Sequence, residues 1–159
     1  MTTSVSSFPR LLALVTLPLY LLDQATKWAV LGHLEIGEER VIIPGFFDLV
    51  HWRNTGAAFS ILSDSNLFFL LLSVVALVVL GLLIWFGKFR DTLSRLGCVF
   101  LLAGVLGNLT DRVLHGSVVD FLLFNLHVPF ANPWPAFNVA DSCIFVAAAL
   151  WIWQSFRES

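Results

Sequence analysis

Charge is scarce in this sequence. Nine Lys or Arg and eleven Asp or Glu make up 13% of its 159 residues, while 58% are hydrophobic. A soluble domain is nearer about a quarter charged, so the chain has too little polar surface for a fold bathed in water. The formal net charge of −2 provides no basic field, which excludes a nucleic-acid partner. Cysteine is equally sparse: Cys98 and Cys143 lie in apolar runs with no C-x-x-C spacing or histidine at ligand distance. They read as buried free thiols. Among His33, His51, His115 and His127 no two stand at i, i+4, so no metal set is expected. The sequence also lacks a G-x-S-x-G elbow, an H-E-x-x-H pair and a Gly-rich phosphate loop. The absence of D-x-x-D-G argues against a magnesium-dependent lipid phosphotransferase, and that of Gly-x-Gly-Asp against a presenilin-type site. No small-x-small cleavage site follows the first apolar run, Leu11–Leu22, so that run is expected to be a retained helix and not a removed signal.

What the sequence does have is long apolar runs, with a mean hydropathy of +0.85. Four runs, about 11–31, 67–86, 93–115 and 136–156, are each near the roughly 20 residues that cross a bilayer. The expected fold is an all-α membrane protein, a single integral domain over 1–159. It is a four-transmembrane-helix bundle with a small β-rich extracytoplasmic segment between helices one and two. In that segment Val41-Ile42-Ile43-Pro44-Gly45-Phe46-Phe47 reads as two short strands about a Pro-Gly turn. Residues 116–135 read as a connection that ends in the turn-rich Asn132-Pro133-Trp134-Pro135. Arg10, Lys88, Arg90, Arg95 and Arg157 fall on one side, which places both termini in the cytoplasm. Hairpin parity then brings Asp23, Lys27, Asn54, Asn108, Asp111, Arg112, Asp120, Asn138 and Asp141 to the outer interface.

Those polar groups are the anomaly, because a charge in hydrocarbon costs several kcal/mol, from roughly 2.5 upward. Asp23 and Lys27 are one helical turn apart and read as a structural ion pair. Asn108, Asp111 and Arg112 share a helix face. There Asp111 is expected to pair with the adjacent Arg112, leaving Arg112 and Asn108 to hold substrate or orient catalytic groups. Asn138 is placed to cap the fourth helix. Asp120 and Asp141, just after the third span and one turn into the fourth, can meet across a short loop. Two partly desolvated carboxylates share a proton; one can activate water while the other polarises a carbonyl. The residues thus read as an aspartate-dyad hydrolase at the membrane rim. A small transporter or proton relay is the alternative, and a non-catalytic chaperone for lipidated peptides is a third reading.

Asp23-Gln24-x-x-Lys27, Asn54-Thr55-Gly56-Ala57-Ala58-Phe59, Gly107-Asn108-Leu109-x-Asp111-Arg112, Val119-Asp120-Phe121 and Phe137-Asn138-x-Ala140-Asp141-Ser142 together resemble the motifs of the bacterial lipoprotein signal peptidase (signal peptidase II) family, in order and over the whole chain. The resemblance implies an intramembrane aspartic endopeptidase of the bacterial inner membrane. It would remove signal peptides from prolipoproteins just before the diacylglyceryl-modified cysteine. It implies Asp120 and Asp141 as the catalytic pair. Asn54, Gly56, Asn108, Arg112 and Asn138 would bind substrate, and Asp23, Lys27 and Asp111 would give structural support. No metal or organic cofactor is implied. The expected partners are lipid-modified prolipoproteins and membrane lipids, and a monomer is expected.

Overall fold

The computed structural model describes residues 7–56, 65–129 and 132–158. In chain order it contains α1 (Ser7–Leu11), a π-helical turn (Leu12–Thr16), α2 (Leu17–His33), β1 (Glu39–Ile43), β2 (Phe47–Asn54), α3 (Asn66–Trp85), α4 (Thr92–His115), β3 (Val118–Phe124) and α5 (Val139–Glu158). The architecture is mostly helical, with a small three-stranded antiparallel sheet in the order β1-β2-β3. α3, α4 and Val139–Arg157 of α5 are each long and apolar enough to cross a membrane.

The run expected at 11–31 is helical over 7–33, but it is not one regular α-helix. A proline has no N–H and its ring crowds the carbonyl four residues earlier. The π-helical turn immediately before Leu17-Pro18 widens the helix where that crowding falls. In the same turn the Thr16 hydroxyl donates to the Val99 carbonyl at 2.9 Å, which ties this helical run to α4.

α4 is the central helix, burying Cys98, Val99, Ala103, Asn108, Asp111 and Arg112 along its length. Asp91 caps its start, accepting from the Ser94 N–H at 2.9 Å. Gly116, at φ 70°, ends it, a left-handed conformation that a side chain would strain. α5 can lie against α4 because Gly97 faces Trp151 and Gly104 faces the Ala140 carbonyl and Ile144. α3 is apolar all round, with Leu80 buried and Leu67, Phe68, Val75 and Val78 exposed. In a membrane that surface meets lipid.

A third glycine touches the polar interior. A Cβ at Gly107 would stand 2.5 Å from Asp23 Oδ2 and 2.9 Å from Ala140 Cβ, whereas one at Gly81 would meet nothing within 4 Å. Gly107→Ala is therefore expected to destabilise the fold by about 1–3 kcal/mol through overpacking. Gly81→Ala should leave stability unchanged. Thermal melts of both variants in detergent check this, and equal melting temperatures would remove the close-packing argument.

The third strand of the sheet, β3, lies within 116–135, where a connection is expected from the sequence. β3 pairs with β2 through Leu49–Leu122, Trp52–Asp120, Arg53–Val119 and Asn54–Val118, with a bulge in β2 between Leu49 and Trp52. The extra residue increases local twist just where Asp120 takes its place. β3 also fixes the approach to α5. Phe137 donates to the Leu122 carbonyl at 3.1 Å, and Leu122 donates back to the Phe137 carbonyl at 2.9 Å. Phe124 stacks on both Phe47 and Phe137, at 4.7 and 5.8 Å between centroids. This bridge is why the last helix starts at Val139 and not near 136: residues 136–138 are held extended against the sheet. Val30 and Leu34 from the end of α2 pack with Val119 and Phe121, seating the sheet on the helices.

Candidate active site

β3, the start of α5 and the C-terminal ends of α2 and α4 meet around three asparagines. Asn138 is the N-cap of α5. Its Oδ1 accepts from the Asp141 N–H at 2.9 Å, and Asp141 Oδ2 accepts from the Asn138 N–H at 3.3 Å. This is a reciprocal capping box. The expected cap is therefore present, and Asp141 sits in the first turn of the helix, nearer its start than the sequence reading placed it. Asn138 Nδ2 donates to Asp120 Oδ1 at 2.7 Å and to the Val119 carbonyl at 3.3 Å. One fully buried residue thus joins both carboxylates, that of Asp120 through its side-chain amide and that of Asp141 through its backbone N–H.

Asn54 Nδ2 donates to Asp120 Oδ2 at 3.0 Å, and its Oδ1 accepts from the Gly56 N–H at 2.9 Å. Asn108 Nδ2 donates to Asp141 Oδ1 at 2.7 Å, and its Oδ1 accepts from Lys27 Nζ at 3.0 Å. An N–H or an ammonium can only donate. Each amide oxygen is therefore fixed toward its donor, and each NH₂ is fixed toward an aspartate.

Lys27 is the hub beneath. Its ammonium lies 2.9 Å from Asp23 Oδ2 and 2.9 Å from Asp111 Oδ2, so with Asn108 all three N–H bonds are used. Asp23 Oδ1 accepts from the Ala140 N–H at 2.8 Å, and Asp111 Oδ2 accepts from the Val119 N–H at 3.0 Å. The ion cluster thereby grips the backbone beside each carboxylate of the pair. The Asp23–Lys27 pair stands as expected. Asp111 is ion-paired as expected, but to Lys27 across the helix interface and not to its neighbour Arg112. Consecutive residues diverge by about 100° around a helix, so Arg112 points elsewhere. Its Nη2 donates to the Gly56 carbonyl at 3.3 Å, and its guanidinium lies 5.3 Å from the Phe69 ring centroid.

Gln24 was not among the expected site residues. It donates to Asp23 at 3.1 Å and to the Gly107 carbonyl and Asp111 at 3.3 Å each. Its signal in the sequence is its place in the Asp23-Gln24-x-x-Lys27 motif.

A cavity of about 670 Å³ opens here, lined at its polar end by Asn54, Gly56, Asn108, Arg112 and Asp141. Its apolar wall is Trp134 with Ile144, Phe145, Val146 and Ala148 of α5. Asp120 lies behind this lining, 3% exposed. Burial above all, and then the neighbouring Asp141, push its carboxyl up to about 7, against the donors from Asn54 and Asn138. The segment Ala57-Ala58-Phe59, expected to let a peptide approach closely, lies outside the described residues. Among the described residues no group of three or more His, Cys, Asp or Glu is arranged to hold a metal ion.

The family described as Signal peptidase (SPase) II matches residues 15–157. The chain belongs to the signal peptidase II family. A lipoprotein signal peptidase of Neisseria meningitidis serogroup C is 45% identical over 154 residues, covering 94% of this chain and 91% of the relative. One from Listeria monocytogenes serotype 4b is 40% identical over 150 residues, covering 91% and 92%. A solved bacterial membrane enzyme superposes with a TM-score of 0.83 at 31% identity, covering 92% of this chain and 88% of that one. The chain is a bacterial membrane protein with membrane-spanning helices.

Proposed function

We propose that the chain is an intramembrane aspartic endopeptidase. It removes signal peptides from diacylglyceryl-modified prolipoproteins, cleaving before the lipidated cysteine. The observation that supports this reading best is the buried pair itself: Asp120 and Asp141 are joined through Asn138, and Asp141 opens on a cavity that is apolar along one wall. In this reading one carboxylate removes a proton from water while its protonated partner polarises the scissile carbonyl. Asn54, Asn108 and Asn138 orient the pair. Arg112 and the backbone at Gly56 meet the substrate main chain, and the wall along α5 receives its apolar segment. Asp23, Lys27 and Asp111 hold the site together, and no cofactor enters the reaction.

The helical run 7–33 serves as a fourth span beside α3, α4 and α5, and residues 1–159 form one domain that acts as a monomer in the inner membrane. With Arg10, Lys88, Arg90, Arg95 and Arg157 in the cytoplasm, both termini are inside and the site lies near the outer interface. A substrate anchored by its own acyl chains presents its scissile bond at that depth. A proton relay needs charges at several depths. Among the described residues the buried charges Asp23, Lys27, Asp111, Arg112 and Asp120 gather at one end of the bundle.

The test is cleavage of one purified proprotein, with and without the diacylglyceryl group, read by mass spectrometry. Cleavage of the modified form alone, leaving the lipidated cysteine as the new N-terminus, is expected. Equal cleavage of the unmodified form would count against the substrate assignment, and no cleavage of either against the peptidase reading.

The pH dependence follows from Asp120. Turnover needs one proton on the pair, so activity is expected to fall as pH rises through about 7, where Asp120 loses its proton. Stability moves in the same direction. With the folded-state value raised above the ordinary 3.8, protonation of Asp120 contributes stability that is complete below 3.8 and lost as pH rises to about 7. The melting temperature of Asp120→Asn relative to wild type should therefore climb across that interval. A flat difference would show that Asp120 titrates normally.

A further inference from the structure

The two aspartates are held by similar donors but are not equivalent, and the difference lies one bond further out. Asp120 receives Nδ2–H bonds from Asn54 and Asn138. Among the described residues, the oxygens of those amides accept from backbone N–H groups, of Gly56 and Asp141. Asp141 receives its bond from Asn108, whose oxygen accepts from the Lys27 ammonium at 3.0 Å. A full positive charge on the oxygen side of an amide polarises its N–H bonds and strengthens what they donate. Asp141 also takes the Asn138 N–H at the start of α5, where the helix dipole favours an anion.

We infer that the pair is asymmetric by construction: Asp141 is the carboxylate, held so by Lys27 acting through Asn108, and Asp120 carries the shared proton. The inference rests on the peptidase reading only for what the pair then does. Lys27 and Asn108 are positioning residues, since they act through Asp141. The other charges that face the pair fit the assignment. Asp23 from α2 repels a charge on Asp141, but the attraction of Lys27, which pairs with both Asp23 and Asp111 of α4, outweighs that repulsion. Arg112 of α4 interacts with both members of the pair and with Asp111, and so does not by itself choose between them. Exposure agrees as well: Asp141 lines the cavity where water enters, while Asp120 stands behind it.

In turnover Asp141 takes a proton from water as the water oxygen bonds to the scissile carbonyl carbon, and Asp120 gives its proton to the carbonyl oxygen. As the resulting gem-diol collapses, the C–N bond breaks. The departing nitrogen takes the proton from Asp141, and Asp120 recovers one from a gem-diol hydroxyl. The pair returns to its starting state.

The test is infrared spectroscopy of the full-length protein in lipid nanodiscs, without substrate, at about pH 6, above the range of ordinary carboxyls and below the value of about 7 for Asp120. The carbonyl stretch of a protonated carboxylic acid should persist in Asp141→Asn and vanish in Asp120→Asn. Adding Asn108→Leu to Asp120→Asn should bring the band back, because Asp141 then loses the amide that carries the charge of Lys27. If the Leu variant does not fold, Asn108→Ala makes the same cut. A band that survives in Asp120→Asn, or is lost in Asp141→Asn, overturns the assignment. Failure of the band to return in the double variant overturns the role of Lys27 and Asn108. No turnover is read, so this result and the cleavage result stand or fall separately.

Discussion

Asp120→Asn and Asp141→Asn are each expected to reduce single-turnover cleavage by about 1,000-fold or more, within the roughly 10²–10⁴ range of a positioned acid or base. An amide keeps the volume of the carboxylate but can neither take a proton from water nor give one to a carbonyl. The fold should survive both changes. At position 120, two NH₂ groups now donate to a side chain with only one oxygen. One mismatched buried donor costs about 1–3 kcal/mol, and removal of a buried charge offsets it above pH 7. Melting in detergent is therefore the control. A folded variant that keeps more than about a tenth of wild-type turnover would end the dyad reading and make Asp111 or Asp23 the next carboxylate to test.

What was legible in the sequence was whatever depends on neighbours along the chain. Apolar length located the helices, Asp23 and Lys27 revealed themselves at i, i+4, and Asn138 announced a cap three residues before Asp141. What was not legible depends on elements meeting across the fold. Asp111 looked like a partner for Arg112 because they are adjacent, yet adjacent helical side chains point apart, and Lys27 was hidden on another helix. β3 went unread because Val118-Val119-Asp120-Phe121-Leu122-Leu123-Phe124 is apolar without the alternation of a half-exposed strand. It is buried on both faces over most of its length, and its pairing partner β2 lies far away in sequence. The late start of α5 has the same origin, since only the bridge from Leu122 to Phe137 holds those residues extended.

Lys27→Met should have the largest effect on stability of any single change in the cluster. Lys27 is 1% exposed, and its ammonium neutralises two buried carboxylates. Removing one partner of such a set while the others stay buried costs about 3–5 kcal/mol, whereas a surface pair is worth at most about 1. The loss is not electrostatic alone: freed to repel, Asp23 and Asp111 would move away from the Ala140 and Val119 N–H groups they anchor, loosening the backbone beside Asp141 and Asp120 together. Lys27→Arg is not a rescue, because a planar fork cannot place donors on Asp23, Asp111 and Asn108 from one point. A better rescue removes a positive and a negative charge together. Lys27→Met with Asp111→Asn should recover much of the melting temperature, yet cleavage should stay low, since Asn108 still lacks the charge behind its amide. Recovery of both would mean that Lys27 only holds the helices together; recovery of neither would mean that Asp23, not Asp111, is the carboxylate that most needs it.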